Sequence, residues 1–302
     1  MSGRVRSPGI GAVTPHRRFA RTRVRSPRPA SVCGVTTYAI ANQKGGVGKT
    51  TTAVNVAAAV AGSGIPTLLV DLDPQCNATV SLGQPRTLRP NSYDVLCATA
   101  GAASAIHDTP VDLLSLMPSS VALAGATVEL PAIAGSERRL RDSLAAVRGR
   151  FGYVLIDCPP SLGPLTLNAL VAADGVIVPV QTEYFALEGL AQVLETIELV
   201  RRELNPTLRV AGLVMTMHDA RTRLGRDVER DVREHFPGLV FDTVIPRNIR
   251  LSEAPSFGVP VTLHDPYCAG TAAYVSLARE LVTRTRAAAA LAPERFSGSA
   301  PA

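Results

Sequence analysis

The sequence predicts an α/β fold, a single domain built on a mostly parallel, twisted sheet with helices on both faces. Three observations predict it. Short apolar runs of strand length alternate with stretches of helical length along most of the 302 residues, and parallel neighbours need such crossover helices. Two of the apolar runs end in aspartates, one in Asp71 and Asp73 and the other in Asp157, and open parallel sheets bind ligands at that carboxyl edge. A glycine-rich loop separates the first apolar run from the first helical stretch.

In chain order, residues 37–41 form a first strand, and the alanine-rich residues 51–61 form a helix that Gly62 and Gly64 stop. Residues 66–75 read as a buried strand ended by Pro74, which places Asp73 at its tip. Residues 151–161 repeat the device and deliver Asp157, and residues 166–170 open the next helix. A strand at 175–180, a helix at 185–204, a strand at 208–215 and a helix around 225–236 follow. Residues 239–245 give the last expected strand, and a terminal helix covers residues 269–286. No internal repeat is present.

The glycine loop carries the chemistry. Lys44 and Lys49 are the only lysines in the chain, and every other strongly basic side chain is an arginine. A composition so poor in lysine would use arginine wherever a generic positive charge sufficed. Lysine offers what a planar guanidinium cannot, a compact ammonium on a thin stem that fits beneath a loop against phosphate oxygens. Gly45, Gly46 and Gly48 let backbone N–H groups crowd an anion without Cβ interference. Strand, glycine loop and helix start together are the context of a P-loop. The predicted phosphate contacts are therefore Gly45, Gly46, Val47, Gly48, Lys49, Thr50 and Thr51, with the Thr50 hydroxyl placed for a magnesium ion.

Composition excludes several classes. Apolar residues make up 46% of the chain, enough for a sizeable core, and no apolar run approaches the roughly 18 residues that span a bilayer. Five scattered cysteines without a C-x-x-C pair argue against disulfides, structural zinc and iron–sulfur ligation, and fit a reducing cytoplasm. The net charge of +6 is uneven: residues 1–35 hold eight arginines and no acid, and the remaining 23 basic residues face 25 acidic ones. Residues 1–35 read as a disordered Arg/Pro-rich basic extension. It is a polyanion-binding arm, a solvated extension or start-site artefact, or a transit-like segment. Residues 36–286 form the folded domain, and 287–302 a fraying helix and disordered tail.

The loop Lys-Gly-Gly-Val-Gly-Lys-Thr-Thr, with Gln43 where the common P-loop has glycine and an added Lys44, resembles the deviant Walker A motif of the ParA/MinD family of ATPases. The resemblance implies a P-loop NTPase-type sheet and the cofactors ATP and Mg2+. It also implies that Lys44 reaches across an ATP-sandwiched homodimer to the partner's phosphates, which makes it catalytic. Asp71-Leu-Asp-Pro-Gln75 is similar to the family's second nucleotide motif and gives Asp73 the task of orienting the attacking water near the metal. Family members usually carry glycine next, where this chain has Cys76; a position needing φ > 0 would be strained by cysteine. Asp157-Cys-Pro-Pro-Ser161 resembles the motif whose aspartate holds a metal-bound water.

Residues 245–258 match the Soj-like, chromosome-partitioning branch, which implies base contacts from Pro246 and Asn248. In that branch the positions of Arg221 and Arg250 belong to a DNA-binding surface; Arg223 and Arg226 are added from proximity. The implied protein is a cytoplasmic, nucleoid-associated ATPase for chromosome or plasmid partitioning. Its ATP homodimer binds DNA non-specifically and is released by hydrolysis that a ParB-like partner stimulates. It has no stable membrane association. The alternatives are a MinD-like membrane-positioning ATPase, which would need a terminal amphipathic helix, and a nucleotide-binding regulator whose hydrolysis Cys76 weakens.

Overall fold

The computed structural model describes residues 35–183 and 186–291. Most of the amino-terminal extension and residues 292–302 of the tail lie outside them. The strands are β1 (Thr36–Ile40), β2 (Thr67–Asp71), β3 (His107–Asp108), β4 (Leu114–Met117), β5 (Tyr153–Asp157), β6 (Gly175–Gln181) and β7 (Arg209–Thr216). They form one seven-stranded sheet in the order β3-β4-β2-β5-β1-β6-β7. All neighbours are parallel except the short edge pair of β3 with β4.

Alternation along each strand sends successive side chains to opposite faces. Leu68 and Val70 of β2, with Val154 and Ile156 of β5, enter one core. Leu69 and Leu155 enter the other. The first face is covered by α5 (Arg139–Ala145), α6 (Pro164–Ala172), α7 (Ala186–Glu203) and α8 (Arg223–His235). On the second face lie α1 (Lys49–Gly62) and α11 (Ala269–Leu291), through residues such as Val56, Val60, Leu277 and Leu281. Between β2 and β5 the chain adds α2 (Asn77–Ser81), α3 (Ser92–Leu96) and α4 (Leu123–Glu129), and after β7 it adds α9 (Ile249–Glu253) and α10 (Val261–His264).

Register concentrates charge at one place. Ile40 and Asp71 flank Asp157 on either side, so two carboxylates end adjacent strands at the middle of the sheet.

Two expectations need correction. Residues 239–245 do not form a strand. They run beside β7 but make only isolated bridges, Leu213 with Val240 and His218 with Pro246. Between the bridges, the N–H groups of Asp242 and Thr243 donate to the Glu280 carboxylate of α11 instead of to a strand. The terminal helix also continues past residue 286 to Leu291, five residues into the segment expected as tail. The run of alanines at 287–290 is the best helix-forming sequence available.

Candidate functional site

The loop after β1 is pinned before any ligand arrives. Asn42 donates its side-chain N–H to the Pro179 carbonyl at 2.7 Å and accepts the Lys44 N–H at 3.0 Å. From the end of β7, the Thr216 hydroxyl donates to the Val47 carbonyl at 2.8 Å. Gly46 and Gly48 have φ of +76° and +87°, left-handed backbone that an L side chain resists. Gly48 leads directly into α1, whose first turn has no acidic residue to compete for its free N–H groups. Lys49 is buried, and its ammonium bridges back to the Lys44 carbonyl at 2.9 Å, arching under the loop. Burial lowers its pKa, while Asp157, Cys158 and Asp73 pull it back up.

The three aspartates have different environments. Asp71 is fully engaged: one oxygen accepts the Asp73 N–H, and the other accepts both the N–H and the hydroxyl of Thr79. Burial pushes its pKa up to about 6 against those bonds. Its role is to pin the turn that carries Asp73 and the start of α2. Asp73 is buried at the strand tip, and its Oδ1 accepts the Gln75 N–H at 2.9 Å. Asp157 is completely buried, and neither of its oxygens meets a hydrogen-bond partner among the described residues. Burial and then the neighbouring Asp71 push its carboxyl well above the usual range, with the Thr50 hydroxyl and the Lys49 ammonium pulling the other way. Buried polar atoms are normally satisfied, so this carboxylate is built for something that binds from outside the chain.

Cys76 has φ +58°, and its side chain is buried at the start of α2. The strain anticipated for a cysteine at this position is present. Lys44 does not reach its own cradle. Its ammonium pairs with Glu183 Oε2 at 2.6 Å, while Gln181 donates to the other oxygen of that carboxylate.

Beside the cradle opens a cavity of about 470 Å³, lined by Gly48, Thr216, Met217, Pro246, Asn248 and Tyr274, among others. The structure therefore brings both predicted base-contact residues to the loop. The Asn248 side-chain oxygen accepts the Arg250 N–H and caps α9, which leaves its amide nitrogen as the free donor.

A family model described as an AAA domain matches residues 35–210. The chromosome partitioning protein ParA of Caulobacter vibrioides is 53% identical over 251 residues, 82% of this chain and 94% of its own. The sporulation initiation inhibitor protein Soj of Bacillus subtilis is 50% identical over 244 residues, 80% of this chain and 96% of its own. The chain belongs to the ParA/Soj family of ATPases. Among solved structures, the cobyrinic acid a,c-diamide synthase of Mycobacterium smegmatis with bound ADP and magnesium matches with a TM-score of 0.75 at 38% identity. That match covers 84% of this chain and 97% of the other.

In this ParA/Soj-family chain the four candidate arginines, termed the arginine rim below, fall in two short stretches, residues 221–226 and the start of α9. The bridge between His218 and Pro246 joins the chain a few residues ahead of each stretch. Arg221 grips Asp219 with two side-chain bonds of 2.9 and 2.8 Å, which holds that carboxyl well below its usual range. Arg250 pairs with Glu253 at 2.8 Å and Asp265 at 3.2 Å, and Arg223 with Asp227 at 3.5 Å. Arg226 donates to the Ala220 carbonyl.

Sequence reading missed Asn42, Thr79, Glu183 and Thr216. Only Asn42 and Thr79 sit close enough to the motifs for local spacing to suggest them.

Proposed function

We propose that the protein is an ATP-dependent, dimerising ATPase switch that partitions chromosomal or plasmid DNA. The observation that supports this most is the conjunction of a preformed anion cradle with the buried, unpartnered carboxylate of Asp157. Lys49 meets the β- and γ-phosphates, and backbone N–H groups from Gly45 to Thr51 line the loop around them. Hard oxygen donors suit Mg2+; the Thr50 hydroxyl and, through water, Asp157 would hold the ion, with Asp73 at its edge. No cluster of three His, Cys, Asp or Glu forms a metal site among the described residues, which fits an ion coordinated largely by phosphates and water. Bound there, Mg2+ would neutralise charge on the terminal phosphates.

Asp73 has one carboxylate oxygen tied to Gln75 and the other available to orient the attacking water. Lys44 leaves Glu183 to reach the nucleotide of a second copy, which makes hydrolysis a property of the dimer. Pro246 packs on the base, and the Asn248 amide hydrogen-bonds its edge. Arg221, Arg250, Arg223 and Arg226 form a surface for DNA phosphates without sequence preference, and a ParB-like partner stimulates hydrolysis and release. The protein works in the cytoplasm on the nucleoid. Among the described residues no helix is long and apolar enough to cross a membrane. Residues 36–291 make a single ATPase domain; the basic segment before it and the tail after it lie outside the described residues.

One observation favours a second reading. The strained backbone at Cys76 stands directly after the Asp73 turn, so a nucleotide-binding regulator with slow hydrolysis shares the same cradle. Sedimentation with ATP and with duplex DNA separates the readings. The switch requires ATP-induced dimers that retain DNA and a turnover rate that falls when Asp73 is removed. A protein that stays monomeric with saturating ATP and Mg2+ rules the switch out.

A further inference from the structure

The segment that closes the base cavity is held from behind by one side chain. After α8 the chain comes alongside β7, where the Phe241 N–H donates to the Leu213 carbonyl at 2.8 Å. Phe241 is fully buried over Gly212, and a Cβ at Gly212 would lie 2.5 Å from its ring. A side chain at position 212 would have to displace the Phe241 ring. The chain then leaves β7 for three residues and returns at Ile245, whose N–H donates to Met215 at 2.8 Å. His218 and Arg247 complete the return through N–H bonds of 3.0 Å to Ile245 and His218. Pro246 and Asn248 follow at once, in the cavity wall.

The excursion is fixed by Glu280 of α11. Its two oxygens accept the N–H groups of Asp242 at 2.8 Å and Thr243 at 3.0 Å, and the Thr243 hydroxyl at 2.8 Å. Arg284, one turn further along α11, pairs with Glu280 at 2.8 Å and donates to the Val240 carbonyl at 2.8 Å. Its guanidinium also sits 4.4 Å from the centre of the Phe241 ring. The carboxylate thus satisfies backbone donors that a sheet neighbour would otherwise take. The same helix supplies Tyr274 to the cavity and bonds it to Thr52 of α1.

We propose that Glu280 is a positioning residue for nucleotide recognition: by holding the Asp242–Thr243 turn it aims Pro246 and Asn248 at the base. This rests on reading the cavity beside the cradle as the base subsite. Glu280 does not line the cavity, and its partners are Asp242, Thr243 and Arg284, none of them in the phosphate loop. Its loss therefore weakens binding only of ligands that carry a base.

The test compares Mg2+-ATP with Mg2+-tripolyphosphate by calorimetry on the full-length chain. Glu280→Ala loses three bonds to a charged acceptor, and ATP affinity falls roughly tenfold while tripolyphosphate affinity holds. Glu280→Gln keeps one acceptor oxygen and gives an intermediate loss, a graded check that does not depend on the alanine variant folding. Asn248→Ala serves as control. If it lowers the ATP to tripolyphosphate ratio and the Glu280 variants do not, the positioning role is wrong and the base subsite stands. If no variant moves the ratio, both fall. Equal losses for both ligands in the Glu280 variants would mean general destabilisation and also overturn the proposal.

Discussion

The cradle and the arginine rim are two surfaces of the same molecule, and they are built on opposite principles. Around the cradle the locking side chains are buried and aimed in advance: Asn42 and Thr216 lock the loop, Asp71 and Thr79 lock the turn, and Asp157 is left open. On the rim the side chains of Arg221 and Arg223 are 90% and 91% exposed, and they pair with Asp219 and Asp227. Buried, preorganised groups act at low dielectric, where one misplaced charge costs several kcal/mol. Exposed pairs are worth about 1 kcal/mol or less and fade with salt. The cradle is thus preorganised for an anion before meeting it, whereas any anion met at the rim would have to displace the rim's own carboxylates.

The sharpest break in that contrast is Lys49→Ala. Loss of the buried ammonium should lower ATP affinity by roughly a hundredfold or more and leave a cooperative thermal transition. Unchanged affinity by calorimetry would mean that the loop is no phosphate site.

Asp157 tests the same commitment through pH. An acid whose folded pKa lies above its unfolded one binds more protons when folded, so stability falls as pH rises through that window. The window for Asp71 runs from 3.8 to about 6, and that for Asp157 extends well above 3.8. Without metal or nucleotide, the melting temperature should therefore decline as pH climbs from about 4 across this range. Asp157→Asn should flatten the decline and raise the melting temperature at neutral pH, while Mg2+ no longer strengthens ATP binding. A steeper decline in the variant would show that the carboxylate is satisfied after all.

Lys44 belongs to the cradle in sequence and to neither surface in the structure. Lys44→Ala should bind ATP nearly as the wild type does, yet fail to dimerise or hydrolyse, whereas Asp73→Ala should accumulate ATP dimers. Glu183→Gln removes the charge that holds Lys44 in the free chain and should shift dimerisation to lower ATP concentration by a few-fold. Analytical ultracentrifugation distinguishes all three. A Lys44→Ala variant that still dimerises and turns over would remove the cross-dimer role.

What the sequence made legible follows the same divide. The loop, the two aspartate-ended strands and Cys76 were readable because their geometry is local: glycine spacing, Pro74 and strand alternation act within a few residues. The contacts of Glu183 with Lys44 and of Thr216 with Val47 join residues far apart in the chain, and no local spacing announces them. The expected strand at 239–245 failed for the same reason. Its apolar character is real, but a carboxylate on α11 takes the backbone donors that β-pairing needs. On the rim, the arginines were readable as charges while their pairing was not, because Asp219 and Asp265 become partners only once the turn and α10 are folded.

The rim therefore yields the smaller effects. Each phosphate contact contributes a slope of about 0.9 in log affinity against log salt on duplex DNA. The Arg221→Ala, Arg250→Ala double variant should flatten that slope by roughly two such contacts, weaken all sequences equally and leave ATP-driven dimerisation intact. Normal DNA binding would move the surface elsewhere, and deletion of residues 1–35 shows whether the basic extension adds to it. The smallest effect is the most diagnostic. Asp219 holds Arg221 by Nε and one Nη nitrogen and accepts its backbone N–H as well, so a phosphate must displace a bidentate partner. Asp219→Asn keeps the turn's acceptor oxygen but removes the competing charge. It should raise DNA affinity by a few-fold, within the range of exposed ion pairs, and the gain should shrink as salt rises. ATP affinity should not change, because Asp219 lies outside the cradle and the base cavity. A variant that binds DNA more weakly would show that Asp219 presents Arg221 to the phosphate instead of withholding it, and the rim would then be as preorganised as the cradle.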